Sequence, residues 1–298
     1  NKISGNYINV LPDGSAEISH SERWGAFFFN ANYNWIGTDG DGTNDDLEGN
    51  VIGPFALGGV YGNSNGSIFT GNRISGNIFG GNPAGTAELY TGSSAETGIR
   101  LSRDAEDHVI GFCDDTEDSL IGDNDMCSNG GAAADQANYF IGLDGTADGT
   151  SYGLLLSVWT NTANIYVYGN KFGVGTDDSA IGNHYGASLY YNLFGTGKYY
   201  TIGDQGDRAN VFMNNEVGVN IENSTVDAAL MQYVKVQYNT ISENVSHGVQ
   251  VVRGKQAQDV DSAHDILIEN NTITDNGGSG IYLSGSSADI ASNTITGN

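Results

Sequence analysis

The chain has 298 residues with 44 Gly and only 3 Pro, and its 11 Lys+Arg against 36 Asp+Glu leave a formal charge of −25. A charge of that sign disfavours nucleic acid and anionic membrane surfaces as partners, because both would be repelled. A hydrophobic content of 38% with 16 Tyr and 11 Phe argues against a disordered chain, and no apolar run is long enough to cross a bilayer as a helix.

The chain opens inside a repeat, Asn1-Lys2-Ile3-Ser4-Gly5-Asn6, and closes inside another, Ser292-Asn293-Thr294-Ile295-Thr296-Gly297-Asn298. Neither end offers a capping unit, so residues 1–298 are expected to be one domain and a segment of a longer solenoid. The motifs Gly5-Asn6-Tyr7-Ile8, Gly49-Asn50-Val51-Ile52 and Gly71-Asn72-Arg73-Ile74 are related by shifts of 44 and 22 positions. Asn271-Thr272-Ile273 and Asn293-Thr294-Ile295 are again 22 apart, whereas Asn239-Thr240-Ile241 precedes the first of these by 32. That last interval reads as one unit with a loop insertion. A 22-residue unit is too short for paired-helix repeats, which need about 33 to 47 residues.

Between the first two motifs lies an aromatic group that includes Trp24 and Trp35, followed by an acidic loop. The loop packs Asp39, Asp41, Asp45, Asp46 and Glu48 into ten residues, with glycines that let it curl. Alternating carboxylates supply hard oxygens of the kind Ca²⁺ takes, about six to eight of them. The plainer reading is a solvated loop. Residues 84–160 are the least regular and are expected to carry excursions outside the repeat. Here Cys113 and Cys127 bracket Asp114, Asp115, Glu117 and Asp118, with Asp123 and Asp125 close by. These residues form a weaker Ca²⁺ candidate, and in a secreted protein the two cysteines read as a disulfide.

Further on come Tyr190-Tyr191 and Tyr199-Tyr200. In an alternating strand one ring of each pair faces in and the other out, so these tyrosines, with Trp24 and Trp35, are candidates for an internal aromatic ladder or for a contact surface. The longer 32-residue unit inserts His247, Arg253, Lys255, Asp259 and Asp261. If the chain is an enzyme, these are its catalytic candidates: a lyase needs a base for the proton α to a uronate carboxylate and a cation to neutralise that carboxylate. The plainer reading is a set of exposed ion pairs. Toward the C-terminus, Val234-Lys235-Val236-Gln237-Tyr238, Ile266-Leu267-Ile268-Glu269 and Gly280-Ile281-Tyr282-Leu283 alternate with period two, as strands do.

Short alternating strands with Gly and Asn corners fit an all-β fold, a single-stranded right-handed parallel β-helix whose coils of about 22 residues stack roughly ten deep. Asn and Gly accept the left-handed backbone of tight corners. Asn at one corner in successive coils can stack as a hydrogen-bonded ladder.

Trp35-Ile36-Gly37-Thr38-Asp39 leading to Gly49-Asn50, and Gly169-Asn170-Lys171-Phe172-Gly173-Val174-Gly175-Thr176-Asp177 leading to Gly182-Asn183, resemble the repeats of secreted bacterial β-helix proteins. Residues 234–298 resemble the generic repeat of the pectin-lyase-like superfamily, which includes polyuronate epimerases and polysaccharide lyases. The resemblance implies the fold and leaves function divided between surface proteins and carbohydrate-active enzymes. His247-Gly248 with Arg253 and Lys255 also resembles elements of polygalacturonases. The acid–base pair that family requires has no counterpart at the right spacing, Asp177-Asp178 lying about three coils upstream.

The expected function is therefore structural or adhesive: an extracellular or cell-surface rod, either a filament subunit or a surface-protein segment, with Ca²⁺ as a stabilising ion and no organic cofactor. Its partners would be further copies of itself or cell-surface glycans. The alternatives are a carbohydrate-active enzyme on acidic polysaccharide, a lyase before a hydrolase, and a non-catalytic glycan-binding module.

Overall fold

A computed structural model describes residues 1–14, 24–53, 55, 57–89, 97–113, 133–144, 151–158, 164–190, 200–222, 234–252 and 266–298. Within them the protein is all-β apart from three short helical turns, and every paired strand is parallel to its neighbour. Three sheets of nine, nine and eight strands run the length of the molecule. The first begins with Lys2–Ile3 and Trp35–Gly37, the second with Tyr7–Ile8 and Val51–Ile52, and the third with Trp24–Phe29 and Gly58–Asn63. The chain visits them in a fixed rotation, and each return adds one strand beside the last.

Because parallel neighbours keep the same register, side chains line up in columns along the stack. In the second sheet Ile8, Ile52, Phe79, Phe140, Phe172, Phe212, Ile241, Ile273 and Ile295 are successive partners. The four phenylalanines stack face to face, with centroids 4.5 to 5.0 Å apart. That spacing follows from the distance between parallel strands, about 4.8 Å. Opposite them, at the entry to the third sheet, Gly98 and Gly153 leave room for the rings. A Cβ on Gly98 would lie 2.6 Å from Phe140 Cδ1, and one on Gly153 would lie 2.8 Å from Phe172 Cδ1.

The expected asparagine ladder is present between the first and second sheets. Asn6, Asn50, Asn77, Asn138, Asn170, Asn210, Asn239, Asn271 and Asn293 are joined in sequence by Nδ2–Oδ1 hydrogen bonds of 2.9–3.1 Å. Each interior amide also donates to a backbone carbonyl, as Asn138 does to Ile74 (2.7 Å) and Asn210 to Val167 (2.8 Å). Most accept a second bond from a backbone N–H, so a corner deep in the core keeps its polar groups paired. A second ladder, Asn183-Asn215-Asn244-Asn276-Asn298, runs between the second and third sheets. A third joins Asn1, Asn34 and Asn72 ahead of the first sheet. There the next place belongs to His108, whose Nδ1 accepts the Asn72 N–H at 3.0 Å.

The ladders correct the reading of the repeat. Neighbouring rungs of the first are 44, 27, 61, 32, 40, 29, 32 and 22 residues apart, so a 22-residue round occurs only at the end. The 44-residue shift from Asn6 to Asn50 is one round with an insertion, not two units. The 22-residue shift from Asn50 to Asn72 joins two different ladders, because Asn72 bonds Asn34. Among the described residues the stack accordingly has nine rounds of strands, against about ten expected. Within 84–160 the described strands Thr97–Arg103, His108–Gly111, Tyr139–Phe140 and Tyr152–Val158 belong to the three sheets, and Ala105–Glu106 pairs with Phe69–Thr70 in a separate two-stranded sheet. The interval of 61 residues falls there.

Candidate functional site

The acidic loop is built on the turn after Trp35–Gly37 and closes with the helical turn Asp45–Glu48. Carboxylate oxygens of Asp39, Asp45 and Glu48 gather within 4.8 Å of one another. Asp41 and Asp46 stay outside the group and exposed. The three carboxylates already have partners. Lys2 Nζ donates to Asp39 Oδ2 at 2.8 Å and also to Glu48. Asp45, almost fully buried, accepts from Thr38 Oγ1 (2.9 Å) and the Gly42 N–H (3.0 Å). Burial pushes the Asp39 carboxyl up, but the bond and charge of Lys2 outweigh it and hold the group below its ordinary range. Behind the loop, the fully buried Arg73 donates to Asp39 O (2.7 Å), Ser75 Oγ (2.9 Å) and Gln136 Oε1 (2.6 Å). An ion at this group would have to displace Lys2. The second acidic candidate, Asp114, Asp115, Glu117, Asp118, Asp123 and Asp125, lies outside the described residues. Cys113 is fully buried, and its expected partner Cys127 also lies outside them.

The aromatic candidates separate. Tyr200 is 3% exposed and belongs to the core, so it offers no contact surface. Trp35 is half-buried against an outer cluster of Val109, Cys113, Tyr166 and Tyr168. Tyr190 is half-buried on the third sheet, and Tyr191 and Tyr199 lie outside the described residues. Trp24 stands on the outer face of the third sheet, stacked on Tyr61 at 4.5 Å, with Tyr61 in turn 5.3 Å from Phe27. The Arg100 guanidinium lies 5.5 Å from the Tyr61 centroid. Two strands further on, Tyr152 stacks on Tyr185 at 5.3 Å. Sequence reasoning missed Tyr61, Arg100 and Tyr152, because their alignment depends on the length of each intervening loop.

Of the catalytic candidates, His247 stacks on Tyr282 at 4.5 Å, and its Nδ1 accepts the Ser279 N–H at 3.0 Å. Arg253, Lys255, Asp259 and Asp261 lie outside the described residues. A cleft of about 700 Å³ opens elsewhere, lined by Glu88, Asp144, His184 and Glu216 from four successive rounds. Its wall includes the segments bridged at Gly81–Glu88 and Val174–Ala180, which meet through Thr176 N to Gly85 O (2.9 Å). Burial and the Asp144 charge raise the Glu88 carboxyl above its usual range. Burial lowers the His184 imidazole against the opposing pull of Glu216 and Asp144. No sequence motif joins these four residues. Among the described residues no helix is long and apolar enough to cross a membrane. Comparison with protein-family models, with curated proteins and with solved structures finds no match to this chain.

Proposed function

We propose that this chain is a right-handed parallel β-helix acting as an extracellular adhesive rod, which braces side-chain columns and loops for contact with cell-surface glycans. The observation that carries the reading is the nine-asparagine ladder, with its polar groups paired through every round, beside an outer sheet face that presents a strip of aromatic rings. The ladder supports stiffness, since each round is bonded to the next by side chains as well as by strands. The strip supports recognition, because tyrosine and tryptophan give large, pre-ordered contact area at low entropic cost.

The test is binding of fluorescently labelled protein to intact cells and to immobilised polysaccharides, with Tyr61→Ala compared with the parent. Saturable binding by the parent that Tyr61→Ala weakens supports adhesion. Unchanged binding in the variant, or none by the parent, overturns it. Calcium stabilisation is a second part of the reading, favoured by the grouping of Asp39, Asp45 and Glu48. End-to-end self-association is tested by negative-stain electron microscopy with Ca²⁺ and with chelator, where filaments are expected only with the ion.

A further inference from the structure

The strip on the third sheet holds a cation that no carboxylate among the described residues neutralises. Arg100 Nε donates to Ser102 Oγ at 3.1 Å, and the guanidinium leans on Tyr61, but no carboxylate among the described residues pairs with it. This is an uncommon placement in a chain with 36 acidic residues. The polar groups around it are the Ser102 hydroxyl, which accepts from it, and the phenols of Tyr61 and Tyr152, with Glu222 acting on Tyr152 from further along the sheet. Ser102 and Ser157 share a hydroxyl–hydroxyl contact of 2.8 Å beneath it. Burial, then the neighbouring Tyr185, Tyr190 and Glu222, push the Tyr152 phenol up to about 12 against the opposing pull of Arg100. Tyr185 is raised by burial and by Glu222 and Glu216. Both phenols therefore keep their protons at neutral pH and can donate them to a ligand oxygen. The Arg100 guanidinium and the Tyr152 phenol are donors of the kind that an oxyanion accepts from.

We propose that Arg100, with Tyr61, Trp24 and Tyr152 around it, is a docking site for an anionic sugar whose carboxylate or sulfate sits on the free guanidinium nitrogens. The proposal rests on the adhesive reading and names the chemistry of its glycan. The chain's charge repels a polyanion from afar. At physiological ionic strength, screening over about 8 Å leaves the bound group sensing mainly its immediate neighbours.

The experiment uses the full chain against three immobilised oligosaccharides of one backbone: neutral, carboxylated and sulfated. The parent is expected to bind one or both anionic forms and to ignore the neutral one, and the stronger arm identifies the anion. Arg100→Gln is expected to weaken anionic binding about tenfold or more, the effect of losing a charge-assisted bond, while Arg100→Lys keeps part of it. Far-ultraviolet circular dichroism confirms that each variant is folded. Equal binding of neutral and anionic forms, or an Arg100→Gln variant that binds like the parent, overturns this inference and leaves adhesion standing. No binding to any glycan or cell overturns both.

Discussion

Asn138 sits in the middle of the longest ladder, and removing its side chain tests whether the ladder stabilises the stack. Its Oδ1 accepts the Asn77 N–H (3.1 Å) and Asn77 Nδ2 (2.9 Å), and its Nδ2 donates to Ile74 O (2.7 Å) and Asn170 Oδ1 (2.9 Å). Asn138→Ala breaks all four bonds at a site with no solvent exposure and leaves the Asn77 backbone N–H without an acceptor, while Asn77 Nδ2 keeps Ile36 O and Ser75 O. At about 1 kcal/mol of net stability per bond, with a further penalty for orphaned buried groups, the loss is about 4–6 kcal/mol. Asn6→Ala is the control. The Asn6 side chain is exposed and makes only two of its own bonds, to Ser4 O and Asn50 Oδ1, so about 1 kcal/mol is expected. Guanidinium unfolding followed by circular dichroism gives both values, and hydrogen exchange at the Asn77 amide reports the local opening. A cost for Asn138→Ala no larger than for Asn6→Ala would refute the reasoning and mean that water replaces the rung at no loss.

His108 carries an acid-sensitive rung: burial first, against its hydrogen bonds, takes the imidazole down to about 4. A folded value below the unfolded one means that stability is fully present above about pH 6.5 and is lost as pH falls through 4. The span corresponds to about 3 kcal/mol, and His108→Asn, which puts an asparagine next to Asn72, should flatten the fall in Tm between pH 7 and pH 4. Lys2→Met should cost about 0.5–1 kcal/mol at pH 7. The Asp39 part of that bridge is lost as pH falls through its lowered carboxyl. The Lys2 part is lost as pH rises through an ammonium raised above 10.5, where bonds to Asp39 and Glu48 overcome burial. The same variant should gain a Ca²⁺-dependent rise in Tm, and an equal response in the parent would show that Lys2 does not block the site. Gly98→Ala places a Cβ 2.6 Å from Phe140 Cδ1 and should cost about 1–3 kcal/mol; adding Phe140→Leu should recover part of it in the same denaturation assay.

The parallel strands were legible because alternation in Val234-Lys235-Val236-Gln237 and Ile266-Leu267-Ile268-Glu269 is local, and the structure pairs these two strands residue for residue. The asparagine ladder was legible from side-chain chemistry, since Asn can both turn the corner and bond to its own kind. Loop length was not. Gly49-Asn50-Val51-Ile52 and Gly71-Asn72-Arg73-Ile74 look like one motif repeated, yet they turn different corners, because both corners need the same two residue types. The candidate sites suffered from the same ambiguity. Asp39, Asp45 and Glu48 were found together because ten residues of chain hold them, whereas Lys2 reaches them from the round before. Tyr61, Arg100 and Tyr152 become neighbours only once the register of three strands of the third sheet is known. Tyr200 faces inward because the Ile165, Tyr200 and Val234 column lies on the core side of the first sheet.

Successive rungs of the long ladder are separated by anything from 22 to 61 residues of chain, while the rungs themselves vary by only 0.2 Å, from 2.9 to 3.1 Å. Sequence length and axial distance are thus uncoupled: the ladder works as a ruler whose graduations ignore how much chain passes between them. Segments between rungs can lengthen, shorten or be exchanged without changing the distance between any two columns on the outer sheet. A ligand-reading surface on such a frame can diversify by insertion at one round while contacts at every other round keep their places.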